Sequence, residues 1–270
     1  MVELDSYLEV EAHAWEDNWQ KGVSKKSLEA YKKNMQIFKK LGFWEESGEA
    51  AKLIPSRDDF IVLDLACGNG LSTAHIKGSL VVGLDLSESQ LEKAKKRFKD
   101  KDFVVGDARK LPFKDNSFDL IVAINMLHHI EETKEALNEC MRVLKKGGVL
   151  LTVDPNLYNP IGFIGRGLFR LLNLKNIFPT FPQFALGEKE RQFSKGQYYQ
   201  LFKNSKFKKF EIIPHRIERI LFFSTILFPA LINLPFYEQF LIGVSKLGNK
   251  IVKIAPFDYI CYFWIGKATK

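Results

Sequence analysis

Five residues with hydrogen-bond-accepting side chains each follow a short apolar run in the middle of the chain. They are Asp64, Asp85, Asp107, Asn125 and Asp154. A carboxylate at the end of a buried strand can accept hydrogen bonds from both hydroxyls of a ribose, and another can accept from the exocyclic amine of a base. A single aspartate at such a position is about as often an ordinary helix cap. The repetition at successive runs favours a binding site for a nucleoside-containing ligand.

The first apolar run leads into a glycine-containing turn, Ala66-Cys67-Gly68-Asn69-Gly70. Glycine lets the backbone approach a ligand closely. A dinucleotide-binding turn would require glycines at positions 66, 68 and 71, where this chain has Ala66, Gly68 and Leu71. The missing third glycine argues against a nicotinamide cofactor.

Two adjacent histidines, His128 and His129, follow the fourth apolar run. A neutral imidazole at this place can accept a proton from the hydroxyl of a substrate. The alternative interpretation is that the two side chains cap or pack against the next helix. Group transfer that depends mainly on proximity and alignment would need no base at all. If a base exists, His129 is the better candidate of the two.

Alternating strands and helices are needed to bring these residues together. Apolar runs predict strands at 60–65, 80–85, 103–105, 118–124 and 149–153. Helical patterns with capping residues follow the second and fourth runs. Because right-handed crossovers place the carboxyl ends of parallel strands on one edge, we expect the polar residues to gather there. The sequence therefore predicts an α/β protein with a doubly wound, mostly parallel sheet.

The composition is that of a folded protein with an uneven charge distribution. Of 270 residues, 46% are hydrophobic and 27% are charged, which excludes a disordered or low-complexity chain. Residues 155–270 contain 17 Lys and Arg against 6 Asp and Glu, a net charge of +11, and 16 of the 23 Phe. A basic region rich in aromatic residues is typical of contact with nucleic acid or with an anionic membrane.

The cysteines and the first residues of the chain indicate the cellular compartment in which the protein is expected. Cys67, Cys140 and Cys261 are far apart and have no metal-ligand spacing, so neither a disulfide framework nor a metal site is expected. The first residues, 1–5, are acidic and lack an apolar run, so no secretory signal is expected. We therefore expect a cytoplasmic protein.

Five sequence blocks resemble those of the class I S-adenosylmethionine-dependent methyltransferases in order and spacing. The blocks are Val62–Gly70, Gly83–Ser87, Gly106–Ala108, Leu111–Phe113 with Ser117–Asp119, and Arg142–Gly148. The resemblance covers roughly residues 58–154 and is strongest to the broad branch that includes quinone, sterol and other small-molecule methyltransferases. It implies a Rossmann-like sheet of seven strands and S-adenosyl-L-methionine as the cofactor.

The resemblance also implies roles for individual residues. Asp64 would lie near the amino group of the cofactor, Asp85 would bind the ribose, and Asp107 with the Ala108 backbone would bind the adenine. Asn125 would line the methionine end and the acceptor. The full set implied to bind the cofactor is Asp64, Ala66, Gly68, Asn69, Gly70, Asp85, Leu86, Asp107, Ala108 and Asn125. The catalytic candidates remain His129 and His128, without a metal.

By the same resemblance, the chain divides into a helical N-terminal cap at 1–57, a cofactor-binding core at 58–154 and a remainder at 155–270. The remainder would supply a helix at 194–204 and strands at 210–214 and 259–265. Two further segments, 155–193 and 215–258, are longer than the fold requires and would leave the sheet at the cofactor's edge.

These two segments are apolar and basic. Residues 161–172 interleave two arginines with large apolar side chains, and residues 220–237 contain no charge. Such sequences are typical of helices in a membrane interface or of a shallowly inserted hairpin. We therefore predict a helical lid over the cofactor site, although an ordinary core or a dimer face is an alternative.

Together these features predict a methyltransferase that acts on an apolar or lipid-linked small molecule. We expect it to be cytoplasmic and peripheral on the inner membrane face, in contact with anionic lipid. The alternatives are a soluble small metabolite as acceptor, a non-catalytic cofactor-binding scaffold and an RNA methyltransferase. Nucleic acid is not the expected partner, because the basic run at 203–209 is short. No oligomeric state is predicted.

Overall fold

The computed structural model describes a defined part of the chain. The described residues are 57–70, 72–73, 76–158, 192–215, 235–251, 254, 261 and 263–270. The predicted N-terminal cap at 1–57 and most of the two predicted lid segments, 155–193 and 215–258, lie outside the described residues and stay predictions.

The chain forms two compact units. One takes in the described residues of Glu46–Pro155, Gln192–Ile213 and Phe263–Lys270, and the other takes in those of Asn156–Arg191 and Pro214–Tyr262. The predicted core, 58–154, lies within the first unit, which also includes the helix and last strand expected from the remainder.

The first unit is built on a seven-stranded sheet with the order β3-β2-β1-β4-β5-β7-β6. The strands are β1 (Ile61–Leu65), β2 (Leu80–Asp85), β3 (Asp102–Val105), β4 (Phe118–Ile124), β5 (Leu144–Pro155), β6 (Lys209–His215) and β7 (Phe263–Thr269). Strands β1 to β5 pair in parallel, and β7 pairs with β5 in the antiparallel direction. The predicted doubly wound, mostly parallel fold is confirmed.

Helices connect the strands as the capping residues predict. The described helices are α1 (Glu88–Arg97), a 3-10 turn at Leu127–His129, α2 (Thr133–Val143), α3 (Lys195–Lys203) and α4 (Tyr237–Ile251). Ser87 caps α1 by accepting a hydrogen bond from the Gln90 N–H. Ser194 and Gln197 form a reciprocal capping box at the start of α3. These caps satisfy backbone N–H groups that lack a partner within the helix.

The core lies on both faces of the central strands, which explains why these strands read as continuous apolar runs. Val62, Leu63 and Leu65 of β1 are each fully buried. Near the turn that follows β1, a cluster of side chains packs around Gly70 and Gly83. It consists of Cys67, Leu91, Ala94, Phe98 and Phe103.

One of these glycines, Gly70, has a packing role. Its φ is +81°, and a Cβ atom there would lie 3.0 Å from the side chains of Ala94, Phe98 and Phe103. A larger residue would strain the backbone and push α1 away from the sheet. Gly70 therefore allows the helix to pack closely, which is a structural requirement independent of any ligand.

Two strands differ from the sequence-based prediction by more than one residue at an end. The last strand was expected at 259–265 but spans Phe263–Thr269, because its pairing with β5 continues to the register of Val149 with Thr269. Strand β5 itself spans Leu144–Pro155 and so begins before residue 149. Its first residues, Lys145 to Gly148, lie at an irregularity between the register of Phe118 with Leu144 and that of Leu120 with Val149. Backbone hydrogen bonds join Gly147 and Gly148 to Lys270.

Candidate active site

A cavity of about 500 Å³ opens at the carboxyl ends of β1 to β4. Its walls include six of the residues that the sequence implicated, namely Ala66, Asp85, Leu86, Asp107, Ala108 and His129. They come from four separate segments and meet because parallel strands end at one edge of the sheet. Asp64, Gly68, Asn69, Gly70, Asn125 and His128 are not part of the wall.

Asp85, at the end of β2, is held in a fixed orientation by the backbone. Its Oδ2 accepts a hydrogen bond from the Gly68 N–H at 2.8 Å, and its Oδ1 accepts from the Ser87 N–H at 2.8 Å. The carboxylate therefore joins the turn after β1 to the start of α1. Each carboxylate oxygen has a second lone pair, so both can still accept from a ligand hydroxyl in the cavity.

Asp107, just after β3, is paired with Arg109. The guanidinium Nη2 lies 2.7 Å from Asp107 Oδ2, and the Arg109 N–H donates to Asp107 Oδ1 at 2.8 Å. The other end of the same guanidinium lies 2.8 Å from Glu132. Hydrogen bonds from Arg109 hold the pKa of Asp107 below its usual value. Asp107 is therefore a carboxylate at neutral pH and an acceptor on the cavity wall.

Sequence reasoning missed several wall residues. Arg109, Glu132, Met126 and Ile130 all line the cavity. The spacing of Asp107 and Arg109 was the available signal for the ion pair, because residues two apart in a turn can contact each other. Met126 and Ile130 flank the two histidines and give this side of the cavity an apolar surface.

The turns at the ends of β1 and β4 pass through the left-handed backbone region, and Ala66 is strained there. Ala66 and Asn125 have φ values of +60° and +53°, in the left-handed region that side chains other than glycine and asparagine seldom adopt. Gly68 also has a positive φ, +54°, and a Cβ at Gly68 would meet open space. Strained backbone of this kind concentrates at functional sites. The open space beside Gly68 leaves room for a ligand to approach.

Asn125 is exposed directly after β4, and its backbone N–H donates to the Val153 carbonyl at 2.7 Å. This hydrogen bond fixes the turn to the neighbouring strand. Its implied contact with the cofactor or acceptor stays a prediction, because Asn125 is not part of the cavity wall.

Asp64 is buried and bound by the protein itself. It is 1% exposed, and its Oδ2 accepts hydrogen bonds from the hydroxyls of Ser72 and Thr73, each at 2.7 Å. Burial raises the pKa of Asp64 to about 6, and the hydrogen bonds from both hydroxyls offset only part of that effect. Asp64 thus anchors the segment that follows the glycine turn, and a direct contact with the cofactor's amino group stays a prediction.

His128 belongs to a second buried network. Its Nδ1 lies 2.9 Å from Asp154 Oδ1, and the backbone N–H of His128 donates to the same oxygen at 3.2 Å. The Tyr198 hydroxyl donates to Asp154 Oδ2 at 3.0 Å and lies 2.6 Å from the Thr152 hydroxyl. Asp154 is 0% exposed, and burial raises its pKa above the usual value. This network fixes the loop after β4 to β5 and α3.

His129 is exposed and lines the cavity, whereas His128 is 6% exposed. The centroids of the two rings are 3.9 Å apart. The buried network therefore holds His128 in place, and the ring of His128 supports the ring of His129 at the cavity wall. Of the two predicted catalytic candidates, only His129 is placed where it could contact a substrate.

These residues fit S-adenosyl-L-methionine. Two fixed carboxylates, Asp85 and Asp107, lie on one wall with Ala108 beside them, and open space adjoins Gly68. The cavity volume is within the range of about 300–1,000 Å³ that is usual for small-molecule sites. Asp85 would accept from the ribose hydroxyls, and Asp107 would accept from the adenine amine.

Comparison with known proteins supports this assignment. The methyltransferase domain family matches residues 63–152. The chain is 31% identical over 183 residues to demethylmenaquinone methyltransferase of Chlorobaculum tepidum, an alignment that covers 63% of this chain and 74% of that protein.

Solved structures have the same fold. An S-adenosylmethionine-dependent methyltransferase of Thermotoga maritima superposes with a TM-score of 0.54 at 18% identity, over 87% of this chain and 99% of that one. Phosphoethanolamine N-methyltransferase 2 of Haemonchus contortus, solved with S-adenosyl-L-methionine, gives a TM-score of 0.56 at 18% identity, over 85% and 53% of the two chains. With this fold, and with sequence identity that extends over most of the C. tepidum enzyme, the chain belongs to the class I S-adenosylmethionine-dependent methyltransferases.

Proposed function

We propose that this methyltransferase acts on an apolar, quinone-type small molecule. The observation that carries the proposal is the similarity to demethylmenaquinone methyltransferase of C. tepidum, whose name specifies a quinone acceptor. The apolar side chains of Met126 and Ile130 on the cavity wall support it, because an aromatic ring system needs an apolar surface to lie against.

The cofactor supplies a methyl group made electrophilic by the sulfonium to which it is attached. Asp85 and Asp107 orient its nucleoside, and the left-handed turns at Ala66 and Asn125 fix the strand ends around it. Transfer of a methyl group depends mainly on proximity and alignment of the reacting atoms. The main contribution of the chain is therefore a rigid site.

His129 is the proton acceptor for the substrate. Its ring is at the cavity wall and rests on the ring of His128, which Asp154 holds from the other side. A neutral imidazole at this position takes the proton that an acceptor group loses when it gains a methyl group. The buried Asp154 accepts hydrogen bonds from His128 and does not itself reach the substrate.

The enzyme works at the cytoplasmic face of a membrane, where an apolar acceptor resides. The support for this location is the net charge of +11 and the abundance of Phe in residues 155–270. Within the described part of the chain, no helix is both long and apolar enough to span a bilayer.

The test is an activity assay with S-adenosyl-L-methionine and a demethylated quinone in mixed micelles, read by mass spectrometry. We expect a product heavier by one CH₂ group. We expect His129→Ala to slow turnover by about 10²-fold or more without changing the affinity for the cofactor, which calorimetry measures. Lys114→Ala, an exposed residue that is not part of the cavity wall, is the matched control.

Two results would contradict the proposal. If the protein binds the cofactor but methylates no quinone, whereas a polar metabolite or RNA is methylated, the acceptor is of another class. If His129→Ala turns over a quinone at the unmodified rate, His129 is not the proton acceptor and alignment of the reactants suffices.

A further inference from the structure

Helix α4 presents a row of large apolar side chains to solvent. Phe240, Leu247 and Ile254 are 56%, 60% and 59% exposed. Phe240 and Leu247 are seven residues apart, which is close to two helical turns, so they lie along one side of the helix, and Ile254 follows beyond its end. The turn beyond the end of α4 is continued by a hydrogen bond from the Ile254 N–H to the Ile251 carbonyl at 2.9 Å. We call this side the apolar face of α4.

A glycine in the same row shows that the apolar face is open. Gly243 lies three residues after Phe240 and four before Leu247, which places it between them on the same side. Gly243 is exposed, and a Cβ atom built on it would meet nothing within 4 Å. Phe236, which directly precedes the helix, is a further large apolar side chain and is 76% exposed.

Charged residues of α4 are arranged asymmetrically around the apolar face. Lys246 and Lys250 are exposed and lie on one flank of the row, within a turn of Leu247. Glu238, the acidic residue in the first turn of α4, is nine positions before Leu247 and so lies on the opposite side of the helix. The apolar face therefore has a basic border on one flank, and the helix's acidic residue points away from it.

We propose that the apolar face of α4 binds an anionic phospholipid bilayer, with the helix lying in the plane of the headgroups. Large apolar residues on one side with lysines along the border are typical of interfacial helices, in which the side chains of the lysines extend to the phosphates. This inference deepens the proposed membrane location of the enzyme and names the surface responsible.

Charge favours a bilayer over a second copy of this chain as the occupant. If two copies paired through this face, the bordering lysines Lys246 and Lys250 of both copies would come together, and Glu238 could not neutralise them from the far side. A bilayer containing acidic lipids supplies the opposite charge along the whole border, at about 1 kcal/mol per lysine.

The test is cosedimentation of the full chain with vesicles of phosphatidylcholine alone and of phosphatidylcholine with phosphatidylglycerol in equal parts. We expect binding to the anionic vesicles that weakens as salt is raised. The double variant Phe240→Ser with Leu247→Ser should bind about tenfold or more weakly, because two apolar side chains no longer insert. Lys246→Glu with Lys250→Glu should lose affinity for anionic vesicles by about tenfold or more.

Leu80→Ser, which removes an exposed apolar side chain of β2, is the matched control and should bind like the unmodified protein. Circular dichroism and the thermal midpoint establish that each variant is folded. The salt dependence of vesicle binding is measured on the unmodified protein, so it tests the proposal even if a variant does not fold. Equal vesicle binding by all variants, or no binding by the unmodified protein, would overturn the proposal. So would a change of oligomeric state in the double variant without lipid, since that result identifies a second copy as the occupant.

Failure of the proposed function can be told apart from failure of this surface. Methyl transfer to a short-chain, water-soluble quinone depends on the active site, and vesicle binding depends on α4. Vesicle binding without transfer to any quinone would refute the quinone acceptor and leave the surface standing. Methyl transfer to a quinone without vesicle binding would refute the membrane-binding surface and leave the quinone acceptor standing.

Discussion

Four aspartates stand at the carboxyl ends of four parallel strands of one sheet, β1, β2, β3 and β5, yet the structure uses them in two opposite ways. Asp85 and Asp107 lie on the cavity wall. Asp64 and Asp154 are 1% and 0% exposed and accept hydrogen bonds from buried side chains of the protein. The comparison shows that position on the sheet edge brings a carboxylate near the site, whereas burial and local donors decide whether it can meet a ligand.

The two pairs also differ in electrostatics. Burial raises the pKa of Asp64 and Asp154, because a charged carboxylate loses its hydration inside the protein. At the cavity, hydrogen bonds from Arg109 lower the pKa of Asp107. The buried pair therefore serves the rigidity of the site, and we propose that the cavity pair serves binding.

The largest change in free energy should come from Asp154→Ala, which acts on the stability of the fold. This change leaves the ring N–H of His128 without its buried acceptor and takes one of two buried partners from the hydroxyl of Tyr198, and we expect it to lower the free energy of unfolding by roughly 3–5 kcal/mol. Denaturant titration measures the loss. Asp102→Ala, which removes an exposed aspartate at the start of β3, should cost far less. Equal losses of unfolding free energy in the two variants would show that the buried network contributes no more to stability than an exposed aspartate does.

Asp85→Ala should act on binding more than on folding. Removing the carboxylate deletes two charge-assisted hydrogen bonds to the ribose, so the cofactor should bind about 2–4 kcal/mol more weakly. Calorimetry with S-adenosyl-L-methionine and with its demethylated product gives the affinity. Asp58→Ala, on an exposed position away from the cavity, is the control. An unchanged affinity in Asp85→Ala would remove Asp85 from the ribose site.

The smallest expected change in free energy is the pH-dependent contribution of Asp64 to the stability of the fold. Its pKa of about 6 lies above the ordinary value of 3.8, so the folded protein binds this proton more tightly than the unfolded chain does. The resulting stability is present below pH 4 and is lost as the pH rises to about 6, by up to about 3 kcal/mol.

Asp64→Asn has no such proton to lose. Its stability relative to the unmodified protein should therefore rise between pH 4 and pH 7, as measured by denaturant titration at each pH. Asp58→Asn, an exposed substitution, should show no comparable change. A parallel pH profile for the unmodified protein and Asp64→Asn would mean that the buried carboxylate keeps its ordinary pKa.

Much of the fold was predictable from local sequence. The apolar run of β1 predicts a strand buried on both faces, and Ser87 and Ser194 predict the starts of α1 and α3 by their capping hydrogen bonds. The end of the chain was not predictable in the same way. Residues 266–268 of β7 extend because they pair with β5, and no pattern of three residues indicates a partner more than a hundred positions away.

In the candidate site, the sequence predicts which residue types are present, and the tertiary structure decides which of them reach the cavity. The sequence determined that carboxylates follow successive strands and that His128 and His129 follow β4, because these are matters of residue type and spacing. Only the tertiary structure decided that Asp154 and Tyr198 hold His128 inside while His129 reaches the cavity. Two adjacent residues in a turn point in different directions, and which one is buried depends on side chains that arrive from distant parts of the chain.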